Sequence, residues 1–72
     1  MLTYRRISNI NGVMRYEFYP QGNTSAPGIV EFETGKNPKL IQESEADFKR
    51  YYANHALNGI DTLRDTGTVA WY

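Results

Sequence analysis

The sequence predicts an α+β domain, an antiparallel sheet of four to five strands in the order ββββαβ packed against one long helix. Three observations carry this. An Asn11-Gly12 pair is flanked on both sides by Tyr, Ile, Val and Phe. Apolar runs and turn-forming clusters alternate up to residue 42. A capping sequence, Ser44-Glu45-Ala46-Asp47, then precedes an apolar stripe of helical period.

Asn-Gly meets the demand of a type I′ turn for positive φ at both central residues, so residues 2–10 and 13–19 read as a hairpin. The two-residue turn sets the register: Ile10 faces Val13, Ser8 faces Arg15, Ile7 faces Tyr16, Arg6 faces Glu17 and Tyr4 faces Tyr19. Strand alternation then puts Ile7, Met14, Tyr16 and Phe18 toward the core, with Arg5 at its rim. Tyr4, Arg6, Arg15, Glu17 and Tyr19 fall on the other face. Pro20 to Pro27 is turn-rich and joins the hairpin to a strand over 28–34, with Val30 and Phe32 inward and Glu31 and Glu33 outward. Gly35-Lys36-Asn37-Pro38 is a second turn, and residues 39–42 are a short fourth strand.

Ser44 is the expected N-cap, with Asp47 three residues on. Phe48, Tyr52, Ala56, Gly59 and Leu63 recur at spacings of four and three and form the buried stripe. The helix is expected to end near Asp65, with Gly67 as terminator. At about 21 residues it spans ~32 Å, enough to cross the sheet diagonally. Thr68 to Tyr72 is the last strand, pairing beside the first in the order 5-1-2-3-4.

Seventy-two residues make a single domain, 1–72. A core this small is marginal and usually needs disulfides, a metal or self-association. There is no cysteine and a single histidine, His55, so neither disulfides nor a metal site is expected. Dense packing of the ten aromatics, self-association, or both must serve instead. Eight basic and eight acidic residues cancel, which argues against nonspecific DNA binding. No apolar run approaches the ~20 residues of a membrane span, and Met1 to Arg6 lacks the apolar stretch of a signal peptide. A cytoplasmic location is expected, with no membrane partner.

Candidate chemistry is sparse. His55 is the one side chain titrating near neutrality, but Ser8, Ser25 and Ser44 have no nucleophile motif around them. The plainer reading of His55 is a helix histidine packed among Tyr51, Tyr52 and Gly59. The loop over 20–28 matches no phosphate-binding pattern. Glu31 and Glu33 share a strand face without further ligands. No catalytic residue, metal or cofactor is expected.

Two features point to binding. Tyr4, Arg6, Arg15 and Tyr19 are expected to share the outward hairpin face, and Tyr and Arg are enriched at binding hot spots. An ordinary wet sheet face with an Arg6–Glu17 ion pair, and Arg15 beside Glu31 and Glu33, is the plainer alternative. The chain ends on Trp71-Tyr72, which should be docked in its own sheet or across a homodimer, with Gly59 allowing close approach of the sheet or of a second copy.

Tyr16-Glu17-Phe18-Tyr19-Pro20, Gly22-Asn23, Pro27-Gly28, Tyr52 with His55-Ala56, and Val69-Ala70-Trp71-Tyr72 together resemble a group of short uncharacterised proteins of Gram-positive bacteria and their phages. The chain departs from the group in lacking a longer charged stretch after the helix and in its shorter third strand. The resemblance brings no activity or site residues. It implies a phage or mobile-element context. The expected function is a small non-enzymatic binding module that blocks a host protein or sequesters a small nucleotide signal. The alternatives are a small enzyme acting on a phosphodiester through His55, and a structural self-assembling protein.

Overall fold

The computed structural model describes residues 1–71. Its elements are β1 (Leu2–Ile10), β2 (Val13–Pro20), β3 (Gly28–Glu33), β4 (Lys39–Gln42), α1 (Tyr51–Gly59) and β5 (Thr66–Val69). The five strands form one antiparallel sheet in the order β4-β3-β2-β1-β5, the expected arrangement. Asn11 (φ 53°) and Gly12 (φ 80°) take the positive φ of the tight turn, and Ile10 pairs with Val13 and Ser8 with Arg15.

Beyond Ser8 the register departs from expectation. The ladder shifts by one residue between Arg6 and Ser8, a β-bulge that leaves Ile7 out of the pairing. Arg6 now faces Tyr16, Arg5 faces Glu17 and Tyr4 faces Phe18. Because side chains alternate with period two, this single insertion turns the first half of β1 over. Leu2 and Tyr4 enter the core, Arg5 is exposed, and Ile7 is 42% exposed instead of buried. The energetic logic favours the bulge, since burying Leu2 and the Tyr4 ring removes more apolar surface from water than burying Ile7 alone.

The core joins Leu2, Tyr4, Tyr16, Phe18 and Val30 of the sheet to Ala53 and Ala56 of the helix. Tyr4 meets the Tyr16 ring edge-on at 5.6 Å, and Tyr16 meets Phe32 at 5.8 Å. The Tyr16 hydroxyl donates to the Arg64 carbonyl at 2.8 Å, so a buried polar tip is satisfied.

On the opposite face, Arg5 pairs with Glu17 at 3.0 Å and Arg15 with Glu31 at 3.0 Å. The expected Arg6–Glu17 pair is replaced by Arg5–Glu17, because the bulge puts Arg6 on the core side, where it meets Asp65. The Tyr19 hydroxyl donates to Glu17 at 2.6 Å. Donation from Tyr19 and then Arg5 holds the Glu17 carboxyl below the usual carboxylate range. A depressed folded-state pKa contributes stability above the unfolded value of about 4.3, lost as pH falls through the folded one. Tyr19→Phe is therefore expected to lower the melting temperature at neutral pH, with the difference from wild type closing in acid. Thermal melts of both proteins across the acid range test this, and a pH-independent difference would contradict it. At the alkaline end, burial raises the Tyr16 and Tyr19 phenols, so stability falls as pH climbs past about 10.

The helix is much shorter than expected, 9 residues instead of a span from Ser44 to Asp65. Lys49 (φ 53°) and Arg50 (φ 58°) both adopt the left-handed conformation, which no right-handed helix can run through. At the other end Ile60 is extended (φ −67°, ψ 129°). The expected stripe breaks accordingly: Phe48 is 74% and Leu63 92% exposed, while Ala53 and Ala56 are buried. Gly67 is not a helix terminator but lies inside β5, opposite Tyr4. No helix among the described residues is long and apolar enough to cross a membrane.

Candidate functional site

The segment between β4 and α1 creates the surface of most interest. Ser44 does not cap the helix. Its hydroxyl donates to the Ala26 carbonyl and accepts from the Ala46 N–H, tying this segment to the loop before β3. Asp47 does the capping from outside the helix. One carboxylate oxygen accepts from the N–H groups of Phe48 (2.8 Å) and Tyr52 (2.9 Å), and the other from Ala53 (3.0 Å). The Tyr52 and Ala53 groups are orphan donors of a helix start, and a carboxylate also suits the positive end of the helix dipole. The residues between Asp47 and α1 are looped out, and Phe48 is carried into solvent.

A groove of about 420 Å³ opens there, lined by Ala46, Phe48, Lys49, Tyr51, Tyr52 and Asn54. The Lys49 ammonium lies 5.4 Å from the centre of the Phe48 ring. Arg50 turns to Glu43 at 3.0 Å. A second depression, lined by Pro20, Gln21, Asn23, Ala46 and Tyr52, adjoins the first through Ala46 and Tyr52. The Gln21 side-chain amide donates to the Tyr52 hydroxyl at 2.9 Å and holds that ring between the two.

Behind the groove stands an aromatic block. His55 and Trp71 stack with centroids 3.8 Å apart and planes within 4°. The Trp71 indole N–H donates to the Tyr51 hydroxyl at 2.7 Å, and Tyr51 meets Tyr52 edge-on at 5.4 Å. Trp71 is thus docked on the helix of its own chain, while β5 pairs with β1. Gly59 is explained within the chain as well, since a Cβ there would lie 2.6 Å from a Val69 methyl. Tyr72, the remaining expected oligomer contact, lies outside the described residues.

The four expected binding residues are not brought together. Tyr4 is 4% exposed, and its hydroxyl accepts from the Asp61 N–H at 3.3 Å. Arg6 is engaged by Asp65 and approaches the Met14 sulfur at 3.5 Å. Arg15 and Tyr19 lie on the opposite face, each bonded to a glutamate. The bulge at Ile7 is what separates them, by turning Tyr4 and Arg6 over. Among the described residues His55 makes no hydrogen bond to a serine; Ser44 is buried in its turn, and Ser25 donates to Asn23 at 2.6 Å.

The groove is hidden in the sequence because Phe48 and Tyr52 share the helical spacing of a buried stripe. The available signal was Asp47. An acidic residue is itself a good cap, and starting the helix after it leaves Phe48 outside. Comparison with family models, curated proteins and solved structures found no match to the chain.

Proposed function

We propose that this protein is a non-enzymatic binding module of phage or mobile-element type, and that it occupies a partner protein through the groove beside α1. The observation that carries the reading is the presentation of Phe48, 74% exposed, and Tyr51, 51% exposed, beside an open groove of ligand-sized volume. Exposed aromatics are costly in water and are the usual anchors of protein interfaces. The left-handed Lys49-Arg50 pair supports it: backbone strain of this kind concentrates where a segment is shaped for contact. The enzyme reading through His55 is disfavoured by its ring face being stacked on Trp71.

A second reading, sequestration of a small nucleotide, has its own support. Lys49 and Asn54 add one cation and one amide to the aromatic walls. Stacked rings with a cation nearby hold a base and a phosphate.

The test is retention of host proteins and small molecules on immobilised wild type, read by mass spectrometry, followed by titration of the identified partner. Phe48→Ser and Tyr51→Ser are each expected to weaken binding by about 2 kcal/mol or more, roughly thirtyfold. Arg15→Ala, on the opposite face, should bind like wild type. Wild-type affinity in both the Phe48 and the Tyr51 variant would remove the groove from consideration.

A further inference from the structure

The two edges of the sheet differ, and the difference identifies a surface for a second copy. The β4 edge is blunted. Pro38 precedes it, Lys39 lies on it, and its ladder with β3 is interrupted between Leu40 and Gln42. Proline, lysine and bulges are the devices that keep sheet edges from pairing. The β5 edge has none of them. Thr66-Gly67-Thr68-Val69 is uncharged and lacks proline, and its pairing with β1 runs without a shift from Arg5–Thr66 to Leu2–Val69.

Ladder parity says which groups face outward. The Arg6 N–H donates to the Asp65 carbonyl. In an antiparallel ladder, hydrogen-bonded pairs alternate, so residues 65, 67 and 69 turn their backbone groups to β1. Thr66 and Thr68 therefore turn theirs to the open edge. We infer that β5 pairs antiparallel with β5 of a second copy, making a homodimer with one continuous ten-stranded sheet.

The register follows. Thr66 pairs with Thr68 of the second copy, and Thr68 with its Thr66, closing four hydrogen bonds about a two-fold axis. Gly67 meets the Gly67 of the second copy at the axis, in the close non-hydrogen-bonded pair. Glycine is required there on internal grounds too, since a Cβ would lie 2.6 Å from the Tyr4 Cζ. The threonines meet as cross-strand Thr–Thr pairs on the face away from the helix, a favourable combination. Another extended peptide would satisfy the same hydrogen bonds, but the two-fold match of threonine to threonine and glycine to glycine is particular to this strand. An interface of four hydrogen bonds is small, so the dimer is weak and forms at high micromolar concentration. It uses none of the groove residues and stands or falls independently of them.

Sedimentation equilibrium at high micromolar concentration, with circular dichroism as the check on folding, tests this. Wild type should dimerise. Thr68→Pro deletes an N–H that points away from β1, removing two of the four bonds, and should weaken dimerisation about thirtyfold. A Thr66→Lys/Thr68→Lys double variant sets like charges opposite each other and should be monomeric. Thr66→Lys/Thr68→Glu sets opposite charges there and should dimerise. A monomeric wild type, a folded Thr68→Pro protein that dimerises normally, or equal behaviour of the two charged variants would each overturn the inference.

Discussion

Replacing Gly28 with valine is expected to lower the melting temperature of this protein by about 10 °C or more. Gly28 begins β3 opposite Phe18, and the Phe18 ring lies where a side chain at residue 28 would be. Phe18 is fully buried, so its ring cannot swing into solvent without opening the core. Overpacking of this kind typically costs about 1–3 kcal/mol, and more when the blocked group is immobile. A 72-residue domain holds only about 4–11 kcal/mol in all. Valine adds two further methyl groups to the clash and belongs at the upper end of the cost. Thermal melts followed by near-ultraviolet circular dichroism measure the effect. The partner substitution Phe18→Leu, which removes the obstructing ring, should restore part of the lost stability. A Gly28→Val protein melting within a few degrees of wild type would show that the ring moves freely, and this account of the core would be wrong.

The second large effect is expected at Asp47. Its carboxylate accepts three backbone N–H groups, two from inside the helix, and spans the left-handed turn at Lys49 and Arg50. Removing a helix cap costs about 1–2 kcal/mol. Here the same group also closes a turn whose two non-glycine residues each sit roughly 1–2 kcal/mol above a right-handed conformation. Asp47→Ala should destabilise by about 2–3 kcal/mol, lowering the melting temperature by about 10 °C or more in a domain of this size. Asp47→Asn keeps one acceptor oxygen and should fall between. The variant also bears on function, because Phe48, Lys49, Tyr51 and Tyr52, which Asp47 positions, line the groove. Hydrogen exchange should show faster amide exchange at Tyr52 and Ala53. Wild-type exchange at those two amides would mean that the carboxylate does not hold the helix start.

The two substitutions mark the boundary of what a linear reading reaches. Local chemistry determined the elements whose geometry is set within a few residues. Asn11-Gly12 can satisfy positive φ at both positions, so the hairpin turn, its first pairs and the alternation along β2 were legible. The sheet order followed from chain lengths and turn positions. Only the tertiary structure decided the rest. Nothing near Ile7 marks a bulge. It arises because Leu2 and Tyr4 have a better place under the helix than outside it, and that preference depends on residues far along the chain. Nothing in Lys49 or Arg50 favours a left-handed backbone either. Their conformation is set where Asp47 reaches back to Tyr52 and Ala53 while Ser44 anchors the segment to Ala26. A stripe of apolar residues at helical spacing fixes which residues can share a face, but where the helix begins depends on which backbone donors find acceptors. Here that choice put Phe48 in solvent and made a groove out of what reads, in one dimension, as core.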